Sequence, residues 1–99
     1  MSTIMITVGT LAENGAESLD RYAKGVIPLL EQAGVKILGR YQGVEALVGD
    51  SPFDLVAVME FPNEIAMKQF LSCDAYAAMI PHRYKAFKYL TTFSCNVLL

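Results

Sequence analysis

The chain has 99 residues, 54 % of them hydrophobic, with ten acidic against eight basic side chains and a formal net charge of −2, which bounds it to one small domain spanning residues 1–99. It has no basic run to neutralise a phosphate backbone, no apolar stretch near the ~18 residues that cross a bilayer and no basic start of a signal peptide, so nucleic acid and membrane drop out as partners and a cytoplasmic protein is expected. Cys73 and Cys95 are 22 positions apart with His82 as the single histidine, too few ligands for a zinc site or a cysteine-held cluster, so neither metal nor cofactor is expected, and a reducing cytoplasm argues against a bridge between the two thiols.

The first element is read from "TIMITVG", where Ile4, Ile6 and Val8 alternate with Thr3, Met5 and Thr7 at the period of a strand. From Glu13 to Ala33, the residues Leu19, Tyr22, Ala23, Val26, Leu30 and Ala33 recur at helical spacing, Pro28 predicts a bend and Gly34 the stop. "VKILGRYQGVEALVG" reads as a long strand bent at Gly39 or Gly43, joined through "GDSPFD" to "LVAVMEF", which is apolar on both faces and hence central. Pro62 ends that strand and Asn63 caps a short helix whose buried stripe is Ala66, Met67, Phe70 and Leu71. Ser72 is expected to cap a second helical segment running to about Phe87, after which Phe93, Cys95 and Val97 alternate with Thr92, Ser94 and Asn96.

The order β-α-β-β-α-β predicts a ferredoxin-like α+β sandwich with both helical regions on one sheet face. The Ile4, Ile6, Val8 side of the first strand is expected under the helices. The Thr3, Met5, Thr7 side, with Thr92, Ser94 and Asn96, is expected to be open and covered by a second copy. A mean hydropathy of +0.36, high for so short a chain, supports the homodimer.

Several functions of such a topology lack their residues here. The central strands offer only Phe61, at an end, for stacking a base. "GTLAENG" after the first strand has neither a cysteine pair for copper nor a cation for a phosphate.

The residues that could carry chemistry gather towards the C-terminal half. Cys73 and His82 are nine positions apart, half a helical turn out of phase, and cannot form a dyad along one straight helix. Tyr76 and Arg83, seven apart, share a stripe with Ile80 and Phe87 that would draw a hydroxyl and a guanidinium inward. Cys73 opens a helix, where a thiolate is favoured, but Asp74 opposes it; the plainer reading is a small residue filling the first turn. Glu60 shares a face with Val56 and Val58; a carboxylate there is either paired with Arg40 across the hairpin or held as a general base. His82 is the other candidate base, set against a partly exposed histidine in a local hydrogen bond. Tyr22 lies on the inner stripe of the first helix, where its hydroxyl needs a partner.

The segments "YAKGVIPLLEQAG", "LGR", "MEFPN", "LSCDAY" and "IPHR" resemble a family of short, mostly bacterial proteins known as domain of unknown function 1330, over about Tyr22 to Val97. The resemblance implies a dimeric α+β barrel and places the family's recurrent polar residues on Arg40, Glu60, Ser72, Tyr76 and Arg83. Where the family usually has proline after the serine, this chain has Cys73. Related barrels include cofactor-free monooxygenases, isomerases and haem-degrading enzymes, but the absence of tryptophan and the single histidine weaken a haem or quinone-monooxygenase reading.

The expected function is therefore a homodimer binding a small organic, anionic molecule between sheet and helices. Arg40 and Arg83 would supply charge, Tyr22, Tyr76 and Ser72 hydrogen bonds, and Glu60 or His82 any proton transfer in cofactor-free acid/base, oxygenase or isomerase chemistry. The competing readings are a binding or stress-associated module without catalysis and a structural assembly protein.

Overall fold

The computed structural model describes residues 2–50, 53–96 and 98. Three positions of the expected elements lie outside them: Val97 of the last alternation, and Ser51 and Pro52 of the "GDSPFD" turn. The elements in chain order are β1 (Thr3–Leu11), α1 (Ala16–Gln32), β2 (Lys36–Gln42), β3 (Leu55–Phe61), α2 (Glu64–Ser72), α3 (Asp74–Ala77), α4 (Ile80–Ala86) and β4 (Phe87–Cys95). The four strands form one antiparallel sheet in the order β2-β3-β1-β4. The expected order of elements holds, with the second helical region divided into three short helices.

α1 ends as its sequence demands. Gly34 adopts φ +75°, a left-handed conformation open to glycine, and its N–H donates to the Glu31 carbonyl while the Val35 N–H donates to Leu30. That turn drops Val35 into the core and aims β2 back across the sheet. At the other end Gly15 is buried against the Ala86 carbonyl, and a methyl there would collide with that oxygen. Gly25 leaves a similar gap, filled by the Met79 thioether, and so brings the segment before α4 close to α1. Asn63 caps α2 as expected, its Oδ1 accepting the Ala66 N–H at 2.8 Å.

β2 is shorter than expected and closes at Gln42, leaving residues 43–54 as a connection pinned at its end by Asp54. The Asp54 Oδ2 accepts the Leu11 N–H at 2.8 Å and its own N–H donates to Gly9. The bend foreseen at Gly39 is a register shift between Ile37 and Gly39.

The facing of β1 corrects the sequence reading. Met5 is buried, pairs with Met59 and joins Val26, Leu30, Phe61 and Phe70 in the core, so the Thr3, Met5, Thr7 side lies under the helices. Ile4, Ile6 and Val8 point to the open face beside Glu60, Val58 and Val56. On β4 the Thr92 and Ser94 side follows Thr7 and Met5, while Phe93 and Cys95 join Ile6 and Ile4 on the open side. The covered face carries Met5, Met59 and Phe61, flexible or flat side chains that interlock with Val26, Leu30 and Phe70 of the helices, beside the smaller Thr7 and Ala57. The Cα extents of 37 × 35 × 16 Å leave room for one sheet and one helical layer, and no element among the described residues covers the apolar face formed by Ile4, Ile6, Val8, Val56, Val58 and Phe93.

Candidate functional site

Between the sheet and α1 lies a cleft that offers about 80 Å³ to the centre of a water-sized sphere. A single water needs roughly 10–15 Å³ on that measure, so the space suits a small organic molecule. Met5, Thr7, Ala57 and Met59 form its floor, and Tyr22, Ala23, Val26 and Leu30 of α1 its roof. The exposed Arg40 and the half-buried Leu55 complete the lining at one part, and the buried Tyr76 and Phe87 with Thr92 at another. The lining is apolar apart from the two tyrosines, Arg40 and the threonine pair Thr7 and Thr92, whose hydroxyls are 2.8 Å apart across β1 and β4.

The polar part of the cleft is built by three side chains from two regions of the chain. The Arg83 Nη1 donates to the Tyr76 hydroxyl at 3.0 Å, and the Tyr76 and Tyr22 hydroxyls are 2.9 Å apart. The Arg83 guanidinium lies 5.9 Å from the centre of the Tyr76 ring and 5.2 Å from that of Tyr84, held by the faces of two aromatics. Tyr22 packs edge-on against both Tyr76 and Phe87. Burial, the hydrogen bond with Tyr76 and the electrostatic effect of Tyr76 hold the Tyr22 phenol protonated well above its ordinary range, with Arg83 opposing them weakly. Burial disfavours the charge on Arg83, but its hydrogen bond to Tyr76 and its interactions with the Tyr76, Tyr84 and Tyr22 phenols outweigh that and raise its pKa.

A count of protons gives the site its chemistry. Arg83 can only donate, so Tyr76 accepts from it. Two phenols then carry two O–H groups, and one of these is used between them whichever way round it runs. One phenolic O–H is left over at the wall of an apolar cleft, available to a hydrogen-bond acceptor.

The other candidate residues fall elsewhere. Glu60 is on the open face opposite Lys36 and Ile4, whereas Arg40 is opposite Ala57 on the cleft side, so the expected Arg40–Glu60 pair does not form. Glu60 instead has Lys36 Nζ at 3.9 Å from its Oε1. The error came from continuing β2 to residue 49: ending it at Gln42 moves the register by several residues, and each single step changes the face. His82 is half-buried on α4 and absent from the lining of the cleft. Ser72 turns back on α2, its Oγ donating to the Lys68 carbonyl at 2.9 Å, and does not cap the next helix. Cys73 does so, its Sγ accepting the Tyr76 N–H at 3.4 Å from an extended backbone. This break after α2 is what aims Tyr76 at Tyr22.

Sequence reasoning missed Thr7 and Thr92 as cleft residues, and no local signal marks them, because their meeting depends on the β1–β4 register. Among the described residues no three of histidine, cysteine, aspartate and glutamate gather as a metal-binding group, and no helix is long and apolar enough to cross a membrane.

The profile of a family described as Domain of unknown function (DUF1330) matches residues 7–93, and the chain belongs to that family. No curated protein matches the chain. Among solved structures, it is similar to a protein of unknown function from Rhodopseudomonas palustris, with 23 % identity, a TM-score of 0.86, and coverage of 99 % of this chain and 83 % of that one. It is also similar to an ethyl tert-butyl ether d (EthD) family protein from Bacillus halodurans, with 21 % identity, a TM-score of 0.70, and coverage of 99 % and 100 %. A third is described as a dimeric protein of unknown function and ferredoxin-like fold from Bacteroides fragilis, with 10 % identity, a TM-score of 0.68, and coverage of 97 % and 96 %. At these identities the likeness establishes the fold, an antiparallel ferredoxin-like α+β sheet with helices on one side.

Proposed function

We propose that this member of the DUF1330 family binds a small, mostly apolar organic molecule bearing a carbonyl or carboxylate oxygen in the cleft between sheet and α1. The observation that carries the reading is the Arg83–Tyr76–Tyr22 chain, which leaves one phenolic O–H at the wall of an otherwise apolar cavity. Burial there excludes competing water and strengthens a hydrogen bond to an acceptor, while Arg40 on the rim and Arg83 behind Tyr76 favour an anionic one. Neither Glu60 nor His82 lines the cleft, and the Tyr22 phenol, held protonated, offers a hydrogen-bond donor and not a base. Binding is therefore the reading supported, and proton abstraction is not.

The protein acts, in this reading, as a homodimer closed through the open sheet face. The support is the continuous apolar patch around Ile6 and Phe93, and the description of a structural neighbour as dimeric.

The test is calorimetric titration of acetophenone, benzoate and ethylbenzene, three probes of similar size of which the last has no acceptor. Acetophenone and benzoate are expected to bind about tenfold or more tightly than ethylbenzene, and the double variant Tyr22→Phe/Tyr76→Phe, which takes both phenolic O–H groups from the wall, to remove most of that difference. Equal binding of all three, unchanged in the double variant, would remove the reading.

A further inference from the structure

Beyond the cleft, on the far side of Phe87, lies a second and more polar concavity of about 370 Å³, lined by Arg83, Tyr84, Phe87, Lys88, Leu90 and Thr92. Phe87 and Thr92 belong to both cavities, so the two share a wall. The second basin carries two cations and no carboxylate, in a chain with more acidic than basic side chains.

The pairing of charges across the molecule makes that arrangement informative. Of the eight basic residues, Arg21, Lys24, Lys36 and Lys68 each have an acidic partner. Among the described residues, Arg40, Arg83, Lys85 and Lys88 have none, and three of these four line the cleft or the basin. Arg83 and Lys85 also sit in the last turn of α4, where the helix dipole favours a cation; that accounts for charge at this end of the helix but not for Lys88 on β4 facing the same hollow. Arg83 is held in place by its bond to Tyr76 and by two aromatic faces, so little side-chain entropy remains to be lost when a ligand engages its other nitrogens.

We propose that Arg83 and Lys88 form an oxyanion subsite for the molecule bound in the cleft. This inference rests on the cleft reading above and narrows it: the ligand carries a carboxylate or phosphate head in the basin, and a separate acceptor oxygen, such as a ketone, towards Tyr22 and Tyr76. An oxo acid with an apolar body has that pattern. Arg83 stands between the two groups, donating to Tyr76 on one side and facing the oxyanion on the other, so both parts of the ligand act on one guanidinium.

The experiment is titration of benzoylformate, phenyl phosphate and acetophenone at fixed ionic strength into wild type, Lys88→Gln and the double variant Tyr22→Phe/Tyr76→Phe. Lys88 is exposed and its replacement leaves the phenol chain in place. At least one of the two anionic probes is expected to bind about fivefold or more tightly than acetophenone, with Lys88→Gln cancelling the advantage while acetophenone binding stays as in wild type. Which anion gains more identifies the head group. Anions binding no better than acetophenone, or keeping their advantage in Lys88→Gln, would overturn the subsite. Failure of the cleft reading looks different: acetophenone then binds equally to wild type and Tyr22→Phe/Tyr76→Phe, or not at all, while the response of the anions to Lys88→Gln persists.

Discussion

Tyr22 and Tyr76 are 54 positions apart in the chain, yet their hydroxyls meet at 2.9 Å at the wall of the cleft. The contact ties α1 to the short helix α3, and everything proposed for the site depends on it. Breaking it from the Tyr76 side leaves the Arg83 donor and the buried Tyr22 hydroxyl without their shared partner. Tyr76→Phe is therefore expected to cost about 1–3 kcal/mol in urea denaturation. A double-mutant cycle with Tyr22→Phe should return a non-zero coupling; zero coupling would mean that the two hydroxyls act separately.

The same bond makes a pH prediction. The Tyr22 pKa is raised in the folded protein above the 10.0 of a free phenol. The stability it contributes is complete below about pH 10, where both states hold the proton. As pH rises further the unfolded chain loses that proton while the folded chain keeps it, so stability falls towards the folded pKa. Urea midpoints measured from about pH 8 to about pH 11 should drop more steeply in wild type than in Tyr22→Phe, which lacks the group. Parallel curves would contradict the shift.

Neighbouring positions on β1 should behave oppositely. Ile6 faces the open side between Val58 and Phe93, whereas Met5 is buried under the helices. Ile6→Glu is expected to give a folded monomer by sedimentation velocity and circular dichroism. Met5→Glu, with a carboxylate in the core, should lose on the order of 3 kcal/mol or more, read from its urea midpoint. A wild type that stays monomeric at micromolar concentration would remove the homodimer.

Arg40 and Glu60 lie on opposite faces of the sheet, so a double-mutant cycle between them should show no interaction energy. The Lys36–Glu60 contact is long and Lys36 is exposed, and Lys36→Gln should change stability by less than about 1 kcal/mol. Substantial coupling between Arg40 and Glu60 would require a different β2–β3 register.

Gly15 and Cys73 test two local constraints. Gly15→Ala places a methyl on the Ala86 carbonyl oxygen, a backbone atom that cannot swing aside, and is expected to destabilise by about 1–3 kcal/mol in thermal unfolding. Cys73→Ser keeps a cap for the Tyr76 N–H and should be close to neutral, while Cys73→Ala should cost about 1 kcal/mol. If Cys73→Ala is as stable as Cys73→Ser, the thiol has no capping role.

Neighbouring residues were enough to give the order of the elements, the stop of α1 at Gly34, the cap at Asn63, the alternation of β1 and β4 and the central place of β3. Each of these rests on local stereochemistry or on a period carried by neighbouring residues. The sequence also marked Tyr22, Tyr76 and Arg83, because a hydroxyl or guanidinium on a buried stripe must find a partner. Tertiary structure alone decided which side of β1 the helices cover. A period of two separates the faces of a strand without saying which is inside, and here both are apolar enough to be covered. It decided that Glu60 meets Lys36 and not Arg40, since one step of register exchanges the faces and that register followed from where β2 ends. It also decided that Cys73 breaks the second helical region and caps α3, which turns Tyr76 towards a tyrosine 54 positions away. Contacts of that range depend on how the layers pack, and no local pattern in the chain encodes them.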